Sequence, residues 1–556
     1  VRSFSALSAL AARLSSYLRL WIWLWAAVAL ALGTALSLGP LEGIPHVQDE
    51  VVYDFQARLL SQGKLWEAER LPRAVHHYEF VINADGRRFG VFPNGWPAVL
   101  ALGKLARLDF LVAPLLLASC VVMGSRLAAH LAGRRAGFLA APLLALCPAL
   151  VVQGASRMSH TLCAALVLLI TSELFTKEPS RRSSLVVGAA LGWLMLTRPL
   201  DAVLVSLVFG VVLLRRGVLR QYAFAALPIA LALFLVGLQN WWLTGDPLLF
   251  PQTLWFSRNE PATAGGAWRY TAECNRLGFG PGHGCFPVDG EVDHSLSRGA
   301  KFAAINLRLV GLLWFGFWPL GLLALVPLLC ASLRGFTAVA LSLFLALVVG
   351  YSAYWYHGAC FGPRFYHSAC ALVILCVALG LSELTRRIRA PALLGLLPLL
   401  AYLERMNQLL PELRSYWGVD GRLQGIEQRW DRGPALFLVA YGGARARVWH
   451  SLPNTAEGML PYVATLRRGM WIERSTPSIE FAEYQPALRD ELVKRASGRE
   501  VYLLVLHDSR REDYLVPLSR LPDPGPQVTS LPVPEDLPFY PEPFEGGEPV
   551  QAYYAN

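Results

Sequence analysis

Apolar stretches of about 20 residues, each long enough to cross the hydrocarbon core of a bilayer, recur through roughly the first 400 residues of the chain. No other feature restricts the possible folds as strongly. The 556-residue chain is 54% hydrophobic and only 16% charged, against about 25% charge in an ordinary soluble protein. A soluble enzyme with a buried core is excluded, as is a disordered chain. The number of apolar stretches also excludes a single-span anchor. The fold class is a polytopic all-α membrane protein, embedded in the lipid bilayer.

The net charge of +10 is mostly arginine, and the arginines cluster between the apolar stretches. The clusters are Arg134–Arg135, Arg181–Arg182, Arg215–Arg216 with Arg220, Arg334, and Arg386–Arg387 with Arg389. A basic balance can signal nucleic acid, but short clusters between spans mark cytoplasmic turns. No nucleic-acid partner is expected. The first span, about Leu18 to Leu38, is too long and too Trp-rich for a cleaved signal peptide. It reads as a retained helix with a cytoplasmic N-terminus. Further spans fall near 109–130, 136–155, 160–176, 221–243, 311–333, 336–356, 364–384 and 391–404. Residues 185–214 carry arginines on both flanks and Thr197-Arg198-Pro199 in the middle. Proline breaks a helix, so two short helices meeting at Pro199 return the chain to the same side. About eleven spans are expected, in an inner cell membrane, with the C-terminus outside.

This topology gives a membrane domain over 1–404, with outer loops near 40–108 and 240–310. An extracytoplasmic domain follows over 405–520 and a Pro/Glu-rich tail over 521–556. Strand-like runs at Ala435–Tyr441 and Val501–His507, with a polar helix near Pro486–Ala496, predict an α/β or mixed domain. The tail is expected to be extended or disordered. No internal repeat is visible. Cys274 and Cys285 share a Gly-rich part of the second outer loop, where a disulfide is expected. Two free thiols, or a zinc site with His283 that is short of ligands, are the alternatives. No metal constellation stands out, so no metal and no resident cofactor is expected.

The sharpest chemical feature is Pro45-His46-Val47-Gln48-Asp49-Glu50, just after the first span. The spacing of Tyr53, Ala57 and Leu60 predicts a short helix along the membrane surface. The adjacent carboxylates would open it, where the helix dipole favours negative charge. Asp49 could equally serve as a simple cap.

Several ordered pieces resemble the integral-membrane glycosyltransferases of the GT-C fold, in particular the protein O-mannosyltransferases and the aminoarabinose transferases of lipid A. They are Asp49-Glu50, Phe92-Pro93-Asn94-Gly95-Trp96-Pro97, Gly192 with Leu196-Thr197-Arg198-Pro199, Asn240 with Thr244-Gly245-Asp246-Pro247, and Gly362-Pro363-Arg364-Phe365. Together they cover about 15–385. The resemblance implies a polyprenyl-phosphate sugar as donor and co-substrate. The acceptor would be a protein, lipid or glycan presented outside. Asp49 would be the general base, and Glu50 a helper for acceptor binding or a structural partner. The leaving phosphate needs cations, for which arginine offers a bidentate fork. Arg364 is the first candidate, with Arg87, Arg88 and Arg198 behind it. Arg198 can instead pair with Asp201 within one helical turn. His46 and Tyr53, with Arg157 and His160 of the second outer turn, are candidates for acceptor or sugar binding. The chain departs from the aminoarabinose transferases, which carry Lys-Pro where it has Phe92-Pro93. It also lacks the acidic residue many relatives place near Arg157.

Two other functions compete. A transporter or lipid flippase would place ionisable residues at mid-bilayer on several helices, whereas polar residues here crowd the outer loops. A glycan polymerase or ligase using a diphosphate-linked donor would need an Arg-rich loop. The second outer loop has only the scattered Arg258, Arg269, Arg276 and Arg298.

Overall fold

The computed structural model of the chain describes residues 2–70, 80–258, 275–283, 293–356, 358–387, 391–414, 416, 421–442, 479–483, 489–496, 498–507, 514–520 and 548–549. Cys274 and Cys285 lie outside the described residues, as does most of the 521–556 tail.

The fold is mainly helical. The helices are α1 (Arg2–Leu38), α2 (Gln48–Ser61), α3 (Gly95–Leu105), α4 (Asp109–Ala132), α5 (Arg134–Leu146), α6 (Pro148–Ala155), α7 (His160–Thr176), α8 (Arg181–Thr197) and α9 (Pro199–Arg215). They continue with α10 (Ala226–Thr244), α11 (Pro251–Ser257), α12 (Leu296–Leu313), α13 (Ala331–Ser352), α14 (Cys370–Arg387), α15 (Pro391–Leu413), α16 (Arg422–Arg429) and α17 (Arg489–Arg495). Among the described residues five helical segments are long and apolar enough to cross a membrane: Ser16–Leu38, Asp109–Ala132, Leu219–Thr244, Ala331–Ser352 and Arg364–Arg386. Two bent pairs raise the number to seven if each is one span.

The expected eleven therefore exceeds this number, for physical reasons. The span expected over 136–155 bends by 51° between α5 and α6, where Pro148 cannot donate a helical hydrogen bond. The span expected over 311–333 is not one helix. α12 ends at Leu313, the chain turns through Gly316 at φ +71°, and a 3-10 run, Trp318–Leu329, leaves at 89°. α7, α8 and α9 have 17 residues each, about 25 Å of helix against a core of about 30 Å. The break foreseen at Pro199 is present, with Arg198 between α8 and α9.

α14 is the central helix. Of its apolar window, 94% is buried, and it packs on α4, α5 and the 3-10 run. Large apolar side chains on α1, α9, α10 and α13, among them Trp23, Leu207, Phe234 and Leu345, stay exposed. These are the faces a bilayer would cover.

The segment between α1 and α4 folds onto this bundle. α2 packs against α3. Between them lies a three-stranded antiparallel sheet, β1 (Glu67–Ala68), β2 (Val81–Ala84) and β3 (Arg87–Gly90), in the order β1-β3-β2. Asp85 and Gly86, both at positive φ, turn β2 into β3, the pattern of a two-residue hairpin turn.

Towards the C-terminus a second small core forms around Ile426, Phe437, Phe481, Tyr502 and Leu504. Its sheet, in the order β5-β4-β6-β7-β8, consists of β4 (Ala435–Gly442), β5 (Ile479–Glu483), β6 (Glu500–His507), β7 (Tyr514–Pro517) and β8 (Glu548–Pro549). β4 pairs in parallel with β5 and β6, and β7 is antiparallel to β6 and β8. α15 runs without a break across 404/405, where a domain boundary was expected. The tail returns to the sheet at β8.

Candidate active site

Three sequence-distant segments meet above the bundle. The first is the opening turn of α2. Its entry is fixed by Glu50, whose Oε2 accepts the backbone N–H groups of His46 (2.7 Å) and Val47 (3.3 Å). Glu50 Oε1 accepts that of Arg157 (2.6 Å). Glu50, not Asp49, therefore closes the end of this helix, and Asp49 is left to project from its first turn.

The second segment is the turn before α14. Gly358 and Gly362 sit at φ +70° and +100°, a region that penalises any side chain. A Cβ on Gly358 would also stand 2.2 Å from the Phe365 ring. Gln153 of α6 donates to the carbonyls of Cys360 (3.4 Å) and Phe361 (3.2 Å) and holds the turn. Arg364 opens the 3-10 turn Arg364–Ala369 that leads into α14. Its Nη1 donates to Asp49 Oδ2 at 2.6 Å. Its Nε and Nη2 have no hydrogen-bond partner among the described residues.

The third segment is the break at Arg198. A Cβ on Gly95 would lie 2.6 Å from the Leu196 carbonyl and 2.5 Å from Thr197 Oγ1, so α3 abuts the break directly. Arg198 donates through Nε to Asp201 (3.3 Å), through Nη1 to His160 Nε2 (3.0 Å) and through Nη2 to Tyr351 (2.6 Å). Asp201 also accepts from the hydroxyls of Tyr351 and Ser368. The foreseen Arg198–Asp201 pair is thus part of a larger buried network.

A cavity of about 550 Å³ opens between these segments. Asp49, Tyr53, Arg198 and Arg364 line it, with Asn275, Gln252 and a wall of aromatic side chains. Phe365 carries both guanidinium groups against its ring, Arg198 at 5.5 Å and Arg364 at 5.4 Å from the centroid. That arrangement favours cations and places two of them beside one polar opening. Burial pushes the Tyr53 hydroxyl up to about 12, with the Asp49 charge acting in the same direction. The phenol stays protonated and can only share its hydrogen.

Other sequence candidates lie elsewhere. Glu50 faces backbone amides, and burial pushes its carboxyl up to about 7 against those hydrogen bonds. The ring nitrogens of His46 sit 3.1 Å from the Tyr416 carbonyl and 3.0 Å from that of Leu41, so His46 braces the loop. Arg157 is tied to Asp54, Asp109 (3.2 Å) and the Gly43 carbonyl (2.9 Å), which leaves it none of the reach expected for sugar binding. His160 touches the site through Arg198.

Arg87 and Arg88 do not line the cavity. Strand residues alternate faces. Arg88 points inward to Glu67 at 3.1 Å and to the Phe55 ring at 5.2 Å. Arg87 lies on Trp66 at 5.1 Å and donates to the Trp242 carbonyl. Burial would raise the Glu67 carboxyl, but Arg70, Arg58 and Arg88 outweigh it and hold Glu67 below its ordinary range.

Tyr416, beyond α15, bridges two of the three segments. Its carbonyl faces His46, its hydroxyl accepts the Phe361 N–H (2.9 Å), and its ring stacks on Phe361 at 4.3 Å. The sequence reading missed Tyr416 and the aromatic wall. The run Tyr354-Trp355-Tyr356, just before Gly-Pro-Arg, was the available signal for the wall.

No protein-family model matches the chain, and no curated protein matches its sequence. Solved structures match its shape. The crystal structure of ArnT from Cupriavidus metallidurans bound to undecaprenyl phosphate superposes with a TM-score of 0.51 at 14% identity, over 87% of this chain and 93% of that one. The apo state of the same protein gives 0.50 at 14% identity, over 87% and 92%. A weaker likeness, 0.44 at 12% identity over 86% and 67%, is to the oligosaccharyltransferase of Archaeoglobus fulgidus in complex with zinc and sulfate. At such identities the likeness is one of fold: this chain has the GT-C fold seen in ArnT.

Proposed function

We propose that the protein is a membrane glycosyltransferase that moves a sugar from a polyprenyl-phosphate donor to an acceptor hydroxyl or phosphate on the outer side of an inner cell membrane. The observation that carries this reading is the convergence of Asp49, Arg364 and Arg198 on one cavity. The convergence supplies both parts the chemistry needs. A carboxylate within reach of an acceptor hydroxyl can take its proton, and arginines hold a departing phosphate. The polyprenyl phosphate bound to ArnT is the same class of leaving group.

In this reading the donor phosphate engages the uncommitted Nε and Nη2 of Arg364 and draws the guanidinium away from Asp49. The acceptor O–H gives its proton to Asp49 while its oxygen bonds to the anomeric carbon. The bond from that carbon to the phosphate oxygen breaks, and polyprenyl phosphate leaves on Arg364. Arg198, held by three partners, keeps the site positive rather than moving with the ligand. Tyr53 lies where it can orient the acceptor. The cavity opens outward, the C-terminal sheet lies on the same side, and α7, α8 and α9 cross the membrane with their neighbours to complete about eleven spans.

The test is transfer from radiolabelled polyprenyl-phosphate sugars by the purified protein, comparing wild type with Asp49→Asn. Transfer that falls by about 10²–10⁴ supports the reading. Undiminished transfer removes Asp49 as base, and no transfer with any donor favours a transporter or flippase.

A further inference from the structure

Beside the charged residues, the cavity wall carries neutral polar groups. Gln252 and Thr253 of α11 line it, as do Asn275, Tyr354 and Trp355. Asn275 is the fixed point. Its Oδ1 accepts from the Tyr354 hydroxyl and from Trp355 Nε1, both at 3.0 Å. An amide oxygen has two lone pairs, so this oxygen is fully used. The two bonds also decide which way the amide faces, because a flipped Asn275 would set its NH₂ against two donors. The group left over is Nδ2, two N–H donors with no partner among the described residues. Gln252 and Thr253 bring further polar groups to the same wall.

Tyr354 connects this part of the wall to the charged residues. Burial pushes its hydroxyl up to about 12, so it remains a donor and keeps Asn275 oriented. Its ring packs on Phe365 at 5.6 Å, and Phe365 in turn carries Arg364. Asn275 and Arg364 thus share one aromatic wall of the cavity, and in a sugar phosphate the group next to the phosphate is the sugar ring.

We propose that Asn275 is a specificity-determining residue for the donor sugar. It requires a ring that offers an acceptor oxygen, a hydroxyl or the ring oxygen, to Nδ2, with an apolar face against Trp355. The substrate class is a hydroxyl-bearing sugar with such an oxygen at the position that faces Nδ2, since an ammonium group at that position cannot accept from an N–H donor. The inference rests on the glycosyltransferase reading and deepens it. A site built to hydrogen-bond a substrate hydroxyl strongly rejects the analogue without it.

Asn275→Asp is the informative change. Aspartate is isosteric and still accepts from Tyr354 and Trp355, but it replaces the free donor with a negative acceptor. Binding of polyprenyl phosphate and of a polyprenyl-phosphate hexose would be measured on the full-length protein, with transfer kinetics and thermal unfolding. The expected result is a Kd for the sugar-bearing donor raised tenfold or more and a matching rise in KM. The Kd for bare polyprenyl phosphate and the unfolding temperature should not change. Equal weakening of both lipids, or no change in either, overturns the inference while leaving the parent reading intact. A wild-type protein that transfers from no donor overturns the parent reading instead.

Discussion

Arg364 and Asp49, 315 residues apart in sequence, face each other at 2.6 Å across the mouth of the cavity. Each is largely shielded from water, with side-chain exposures of 9% and 17%. On the proposed reading, the donor phosphate and Asp49 would compete for one guanidinium. Asp49→Asn should lower kcat by about 10²–10⁴ while bare polyprenyl phosphate binds as tightly as in wild type or several-fold more tightly. Equilibrium binding beside single-turnover kinetics checks both halves. Weakened lipid binding in this variant would count against the competition.

Arg364→Lys should fail where a mere charge requirement would let it succeed. Lysine offers a point charge and no planar fork, and the Phe365 face suits a guanidinium. We expect the Kd for polyprenyl phosphate to rise at least tenfold in both Arg364→Lys and Arg364→Ala, with the two variants within a few-fold of each other.

Asp201 balances a buried arginine and accepts from two hydroxyls. Removing one member of a buried ion pair leaves an uncompensated charge and typically costs about 3–5 kcal/mol. Asp201→Ala should lower the unfolding temperature markedly, and Asp201→Asn less so, because the amide oxygen can still accept from Arg198. Thermal unfolding in detergent would show the order.

Glu50 links stability to pH. Burial raises its carboxyl from 4.5 to about 7, so the folded protein binds this proton more tightly than the unfolded chain. The sign follows directly: the contribution is fully present below pH 4.5 and is lost as pH rises through 7, with an upper bound of about 3 kcal/mol. Wild type should lose stability across that window relative to Glu50→Gln, whose amide does not titrate. Parallel pH profiles in the two proteins would sink the assignment.

Gly95 sets the distance between α3 and the Arg198 break. Gly95→Ala drives a Cβ to 2.5–2.6 Å from Thr197 Oγ1 and the Leu196 backbone, and such overpacking costs about 1–3 kcal/mol. Because the shifted backbone carries Arg198, kcat should fall more than lipid affinity. A variant with normal kcat would show that the break tolerates movement.

Much of this was legible in the sequence, and the failures have causes. Apolar length and the Thr-Arg-Pro interruption located the α8–α9 break, because both effects are local. The spacing after Asp49 located α2 for the same reason. The Asp49–Arg364 contact could not be read from spacing, since nothing local joins residues 315 apart. Arg87 and Arg88 were taken together, although a strand sends neighbours to opposite faces. The expected eleven spans are not all matched by single long helices, because proline and positive-φ glycine bend an apolar run that hydropathy treats as continuous. Asn275 carried no motif, and its meaning comes from two partners 79 and 80 residues away.

Tyr416 changes what the C-terminal part of the chain is for. It lies beyond the last long apolar helix, yet it touches the segment that carries Asp49 and the one that carries Arg364. Asp49 and Arg364 are thus mounted on a shared tie that comes from neither of their own elements. Cutting the chain after Leu413 would therefore do more than remove an appendage: it would remove a tie between the segment that carries Asp49 and the one that carries Arg364.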